Sequence, residues 1–411
     1  MGMIRKIILI VGLAVFLFLV GRGGPQITEV HVAAAPYSYS LLKWEAVHLP
    51  IKGLHKIRDV VTRANYSRDE QSAVILEYFM IDEKIGQRKR FSGEERYLHS
   101  TGLQGGRIES QALDKLISRQ QDLKPRMEEG IESEVSSVLT EEGLNFWKGF
   151  IFPPVDVVFT GTPMLLVISP RDRIELTETI LLRTDITVEQ IESLENTIFQ
   201  KEGLSALVVG ISGLATYPSM VSPKHGLLNA TRITIHEWLH QFLFFRTLGR
   251  NYWRSPEMTT LNETVATLAS DELADRIYEA ITSIQPSKLT KKEVPNTAFN
   301  FREEMRSTRT RVDRLLAVEQ ITEAEAYMEI RRQLFANNGY EMRKLNQAYF
   351  AFHGVYADNP ASTSPIHDEL VRFRTATDSV GDFIREVSRF GTYQEFKAAL
   401  ERSTYGHTDV P

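Results

Sequence analysis

The sequence predicts an α+β protein, mainly helical, with one small mixed β-sheet set apart from the helices. Three observations predict this. Residues 41–150 carry helical patterning. Residues 155–221 hold short apolar runs rich in β-branched residues and punctuated by Gly and Pro. From 229 to 400 the apolar spacing is helical again. A run of helices, then strands, then helices is not the alternation of a doubly wound sheet.

The chain has 411 residues, 42% of them hydrophobic and 25% charged, which is enough to bury a sizeable core. Its net charge is −5 and it has no long Lys/Arg run, so nucleic acid is not an expected partner. It has no cysteine. That excludes disulfides, thiolate metal sites and cysteine nucleophiles together, and any metal must be held by His, Asp or Glu.

The N-terminus has the form of a signal-anchor or signal peptide over residues 1–24. Arg5 and Lys6 precede an apolar run over 7–20, and Gly21-Arg22-Gly23-Gly24-Pro25 ends it. The small-residue cluster Ala33-Ala34-Ala35 lies beyond the usual cleavage distance, which favours an uncleaved anchor. The expectation is a single-pass membrane protein with an extracytoplasmic domain, or a secreted one if the segment is cleaved. Residues 25–150 then form a helical N-terminal region, and 151–411 a second domain with the small sheet and the C-terminal helices.

The elements follow in order. Residues 22–40 are rich in Gly, Ala, Pro and Ser and read as an extended linker. Ser67-Arg68-Asp69-Glu70 has the form of a helix start, and Ala73, Leu76, Phe79 and Ile81 give an apolar stripe after it. Residues 112–118 and 127–139 are helical in pattern, and the acidic residues around Glu128–Glu134 read as a solvated face. After Pro153-Pro154, the runs 155–160 and 164–168 are split by Gly161-Thr162-Pro163 and predict a hairpin. Residues 175–182 and 205–211 read as further strands, with a helix over 187–200 between them. Gly213–Val221 reads as a strand that Pro218 places at a sheet edge. Helices follow over 229–248 and 258–278, and again through 303–400.

The chemistry is carried by Thr234-Ile235-His236-Glu237-Trp238-Leu239-His240, an H-E-x-x-H run on a helix. Positions four apart share a helix face, so His236 and His240 can converge on one ion. Neutral imidazoles are good zinc ligands. Glu237, next to the first ligand, can take a proton from the attacking water. With only 10 His in the chain, such a run arises by chance at roughly the one or two per cent level. A hydrolytic zinc wants a third ligand and an open fourth position. Glu263, in the first turns of the following helix, supplies it if the two helices pack antiparallel. Oxyanion donors are sought among Tyr340, Tyr349, His353, Tyr356 and His367, of which Tyr349, His353 and Tyr356 can share a face.

His236-Glu237-Trp238-Leu239-His240 followed by Asn262-Glu263-Thr264-Val265-Ala266 resembles the gluzincin zinc metallopeptidases. That superfamily includes the thermolysin-like proteases and the zinc aminopeptidases. More narrowly, the chain is similar to bacterial aminopeptidases with an N-terminal membrane segment. In these an N-E-[ST]-hydrophobic-A helix follows the zinc helix. A later helix carries a motif similar to Leu345-Asn346-Gln347-Ala348-Tyr349, with a Tyr about ten residues on. The likeness is clear over 205–275 and weaker over 340–400.

The resemblance implies a zincin-like fold, a Zn2+ cofactor held by His236, His240 and Glu263, Glu237 as general base, and Tyr356 as the favoured donor, then Tyr349. It implies peptide or protein substrates and aminopeptidase-like cleavage. In zincins an edge strand beside the zinc helix pairs with extended peptide. Gly213, Leu214 and Ala215 would do so here, and an ordinary edge strand is the plain alternative. The sequence departs from the thermolysin pattern at Thr267, where an acidic residue would orient the first His; Asp271 and Asp275 are the next acidic residues on that face. The acidic strand motif of the better-known zinc aminopeptidases is missing from Gly213–Val221, so an endopeptidase is one alternative. A non-catalytic membrane-anchored protein on a zincin fold, used for binding or structure, is the other.

Overall fold

A computed structural model describes residues 28–48, 67–98, 105–147, 149–286 and 299–405. It is mainly helical with small sheets, the α+β class that the sequence predicts. A short helix α1 (Glu29–Ala34) opens the described chain, so part of the expected extended linker is helical. Thr28 caps it by accepting from the His31 N–H.

Two long helices follow, α2 (Arg68–Leu98) and α3 (Gly105–Glu141). Ser67 and Glu70 form the capping box that starts α2. The Ser67 N–H donates to Glu70 Oε2 at 2.9 Å, and the Glu70 N–H donates to Ser67 Oγ at 3.3 Å. The apolar faces of the two helices meet, with Ile75, Met127, Ile131 and Val135 fully buried.

The strands divide into three small sheets rather than one. β1 (Asn145–Trp147) and β2 (Phe150–Ile151) pair with each other. β3 (Val157–Phe159) does not form the expected hairpin with β4 (Met164–Ser169). It pairs in parallel with β8 (Ser219–Val221), whose other side pairs with β7 (Gly213–Leu214) in a mixed sheet. β4 is instead the centre of an antiparallel sheet, between β5 (Glu178–Leu182) and β6 (Ser205–Gly210). The Gly161-Thr162-Pro163 segment therefore crosses between sheets. Pro218 does not put β8 at an edge either. It precedes the first paired residue, Ser219, so its missing N–H costs no ladder bond, and β7 takes the edge.

Side chains on helices cover two of the sheet edges. Glu128 and Glu132, four apart on α3, accept from the N–H groups of Phe159 and Val157 at 2.8 and 3.0 Å. This acidic stretch is therefore not a solvated face. Glu128, Glu132 and Glu134 are all buried, and Glu134 receives a forked pair of bonds from Arg68 at 2.9 and 2.6 Å. On α4 (Val188–Glu202) the buried Glu195 does the same for β6. It accepts from the Val208 N–H at 2.7 Å, from Arg343 at 2.9 and 2.5 Å, and from Lys344 at 2.9 Å. Backbone bonds from residues 37–39 cover β5. Two N–H groups at an open edge would otherwise offer a template for pairing.

Glu195 is also a stability determinant. Burial favours its neutral form, but Arg343, Lys344 and the Val208 N–H outweigh burial and hold its carboxyl below the usual range. A depressed carboxylate contributes stability above its unfolded pKa and loses it as pH falls through the folded one. Glu195→Ala should cost about 1–3 kcal/mol near neutral pH, read by denaturant unfolding, because it leaves the Val208 N–H without a partner and unpairs Arg343 and Lys344. The deficit should shrink on acidification.

The remaining helices are α5 (Gly226–Phe244), α6 (Thr247–Arg250), α7 (Pro256–Thr282), α8 (Phe301–Ala317), α9 (Ile321–Asn337), α10 (Gln347–His353), α11 (Ile366–Thr375), α12 (Val380–Val387) and α13 (Tyr393–Tyr405). The largest core cluster joins α2, α3 and β3 to α5, α7 and α11–α13. Trp238 of α5 sits inside it and donates its indole N–H to the Pro153 carbonyl at 2.8 Å.

The membrane assignment needs correction. Among the described residues no helix is long and apolar enough to cross a membrane. The two longest helices, α2 and α3, are studded with charged residues, whereas a span needs about 20 predominantly apolar ones. The proposed anchor over 1–24 lies outside the described residues. The signal-anchor and single-pass extracytoplasmic expectations are therefore not carried forward.

Candidate metal centre

Helix α5 has two faces. Ala230, Thr231, Thr234, Ile235, Trp238, Leu239 and Phe242 are buried in the core. Ile233, His236, Glu237, His240 and Phe244 line a cleft of about 640 Å3 on the other side. Helix α7 packs along α5, started by the Ser255 cap and Pro256 at its first position. That packing brings Glu263 over the histidine pair, as the spacing predicts.

His236 Nε2 and His240 Nε2 lie 3.0 Å apart, and Glu263 Oε2 lies 3.4 Å from each. An ion held tetrahedrally at ~2.0–2.1 Å from its ligands would space those atoms roughly 3.3–3.4 Å apart. Glu263 Oε2 is buried and has no hydrogen-bond partner. Two imidazole nitrogens and an orphaned carboxylate oxygen aimed at one point fit a metal ion, and this group could hold one.

The electrostatics agree with that fit. Burial lowers the basicity of His240, but Glu263, Glu237 and the bond to Asn262 outweigh it and push its pKa up to about 9. Glu263 stays well below the usual carboxylate range despite its burial, because both histidines face it. Glu237 moves the other way. Burial raises it, the histidines pull it down, and the negative Glu263 raises it again.

Three consecutive residues of α7 serve the centre. Asn262 Oδ1 accepts from His240 Nδ1–H at 3.0 Å and fixes that ring with Nε2 toward the other ligands. Glu263 faces the histidines. Thr264 Oγ1 accepts from the Ala357 N–H at 3.2 Å, which anchors the chain beside Tyr356. Sequence reasoning assigned no role to Asn262, although it sits directly before the ligand in the N-E motif. Thr267 does not orient a histidine, since its hydroxyl donates to the Glu263 carbonyl at 2.9 Å. Asp271 and Asp275 form ion pairs with Arg232.

Of the five donor candidates, Tyr356 and His353 line the cleft, and Tyr340, Tyr349 and His367 do not. The Tyr356 ring is 6.4 Å from that of His236. Glu263, then burial, then Glu237 push its hydroxyl well above its ordinary pKa, so it stays protonated and able to donate. Burial drives His353 down to about 4, so it is neutral at pH 7. Tyr349 packs on His353 at 4.3 Å, and Tyr340 stacks on Phe301 at 4.4 Å. The Asn346-Gln347-Ala348 motif is a clamp. The Asn346 and Gln347 amides donate to the carbonyls of Ala206 and Arg171, and the Ala348 N–H donates to Ser205 Oγ. These bonds fix α10, which carries His353, against the central sheet.

Strand β7 runs against α5, and Gly213, Leu214 and Ala215 all line the cleft. Gln241 of α5 holds the turn after β7, donating to Thr216 O at 2.5 Å and Ser219 Oγ at 2.8 Å. Gly213 leaves room for its neighbours, since a Cβ there would overlap the Glu237 carboxylate and Ile233 and force one of them to shift. Gly213→Val should cost about 1–3 kcal/mol through overpacking against Ile233 and the Glu237 carboxylate. Denaturant unfolding checks this, and unchanged stability would refute the close contact.

No protein-family model, curated protein or solved structure matches this chain, so the reading of the centre rests on its own geometry.

Proposed function

We propose that this chain is a zinc-dependent peptidase of gluzincin type, with His236, His240 and Glu263 as metal ligands. The observation that supports it most is the convergence of those three ligand atoms beside the buried Glu237, on the floor of a cleft walled by a sheet edge. When bound, zinc supplies Lewis acidity and makes water acidic enough to attack near neutral pH. Glu237, whose carboxyl burial pushes up, would take the proton from the attacking water and pass it to the leaving amine. Tyr356 keeps its proton and donates to the oxygen on which charge develops. The edge of β7 aligns an extended substrate by main-chain pairing, since this edge strand lines the cleft beside Glu237.

The cleft lining also favours internal bonds over free N-termini. Among the described residues, the only carboxylates lining it are Glu237 and Glu263, both used by the centre. An α-amine therefore finds no carboxylate of its own. Digestion of a peptide library by the zinc-loaded protein, read by mass spectrometry, tests both points. Cuts within peptides, absent with Glu237→Gln, are expected. No cutting by the zinc-loaded wild type would overturn the peptidase reading, and cuts confined to N-termini would restore the aminopeptidase one.

A further inference from the structure

The residue that fixes the third ligand comes from neither metal helix. Tyr252 lies in the turn between α6 and α7, and it lines the cleft. Its hydroxyl donates to Glu263 Oε1 at 2.5 Å. Its ring meets that of His240 edge-on, with centroids 6.4 Å apart. The backbone on both sides is tied down. The Tyr252 N–H donates to Gly249 O at 3.1 Å, and the Tyr252 carbonyl accepts from Thr259 Oγ1 at 2.6 Å. Thr259 is one turn before Glu263 on α7, so ligand and tyrosine are anchored to the same stretch of helix.

The two oxygens of Glu263 are therefore unequal. Oε1 is occupied by the phenol, while Oε2 is buried, unpartnered and 3.4 Å from both imidazole nitrogens. A carboxylate free to rotate can bring both oxygens onto an ion. That adds a ligand and uses the position that a hydrolytic site keeps open.

We propose that Tyr252 is a positioning residue for the metal centre: by holding Glu263 Oε1 it makes Glu263 a one-oxygen ligand through Oε2 and keeps a coordination position free. The proposal rests on the metal reading above and adds to it a residue outside the ligand motif. It assigns Tyr252 a role distinct from that of Tyr356, which also reaches Glu263 but whose ring lies beside that of His236.

Tyr252→Phe keeps the ring and removes only the donor. With the zinc-loaded wild type at about one equivalent, the variant should bind zinc about 10–100-fold more weakly in competition with a chelating dye. Cobalt(II) in place of zinc reports geometry, since a four-coordinate ion absorbs visible light more strongly than a five-coordinate one. The cobalt band should be strong in wild type and weaken in Tyr252→Phe, while the metal-free proteins melt at the same temperature. An unchanged affinity and cobalt band would overturn the proposal, as would a lower melting temperature with an unchanged band. X-ray absorption of the zinc-loaded wild type needs no variant, and a first shell containing both Glu263 oxygens would also overturn it. A wild type that takes up neither zinc nor cobalt would instead remove the metal reading itself.

Discussion

Glu237→Gln should keep about one equivalent of zinc and lose peptide hydrolysis by about 10²–10⁴-fold in kcat. Glutamine matches the shape of glutamate, so the contact with Gly213 and the packing of α5 survive. Only the capacity to accept and return a proton is removed. Such a loss corresponds to about 3–5 kcal/mol of transition-state stabilisation. The substitution should not harm the fold. Burial raises the Glu237 pKa, so in the metal-free protein its charge is a stability cost as pH rises above the unfolded carboxylate pKa. Metal-free Glu237→Gln should therefore melt no lower than wild type at pH 7. Hydrolysis by the variant within a few-fold of wild type would exclude Glu237 as the base. A variant without zinc would show a ligand-like role instead.

His240→Ala should abolish metal binding, from about one equivalent to below about one tenth on purified protein. His240 is held by Asn262 on one nitrogen and faces Glu263 and His236 with the other. Its loss also removes the stabilisation that zinc confers by binding only the folded state, about 4 kcal/mol at a thousandfold excess over Kd. The wild-type melting temperature should fall toward that of the variant when a chelator strips the metal. Uptake should also be pH dependent. In the metal-free protein the histidine–glutamate cluster holds a proton on His240, whose pKa is about 9. The ion has to displace that proton, so below about pH 9 apparent affinity should weaken by about tenfold per unit of pH lost. Calorimetry in buffers of different ionisation enthalpy measures the released proton. Zinc content in His240→Ala equal to wild type would refute the site.

The legible parts of the fold were those that local chemistry decides. Ser67 and Glu70 announce α2, and Thr187 with Gln190 forms the capping box that opens α4, because caps satisfy neighbouring N–H groups within one turn. Strand partnership was not legible. The run 155–160 reads as a hairpin arm with 164–168, because a Gly-Thr-Pro turn lies between them, yet β3 takes a distant partner. The choice fell to 219–221, where Glu128 and Glu132 could cover the other edge. The same non-local contacts reversed the reading of those two acids. A carboxylate on a helix reads as solvated until a strand supplies N–H groups for it.

At the centre, sequence by itself picked out the three residues that could hold a metal ion. His236 and His240 share a face because helical spacing puts them there, and Glu263 follows in the first turns of the next helix. How other groups reach those residues was decided by tertiary structure. Asn262 adjoins Glu263 in the chain, and the resemblance singles out Tyr356, but the Asn262 bond to His240, the Tyr252 bond to Glu263 and the placing of Tyr356 beside His236 follow from no spacing rule. Periodicity fixes direction only within one element. Between elements, direction is set by packing, as when Gly213 brings a strand against Glu237 and the Ala357–Thr264 bond holds the chain that sets Tyr356 beside His236.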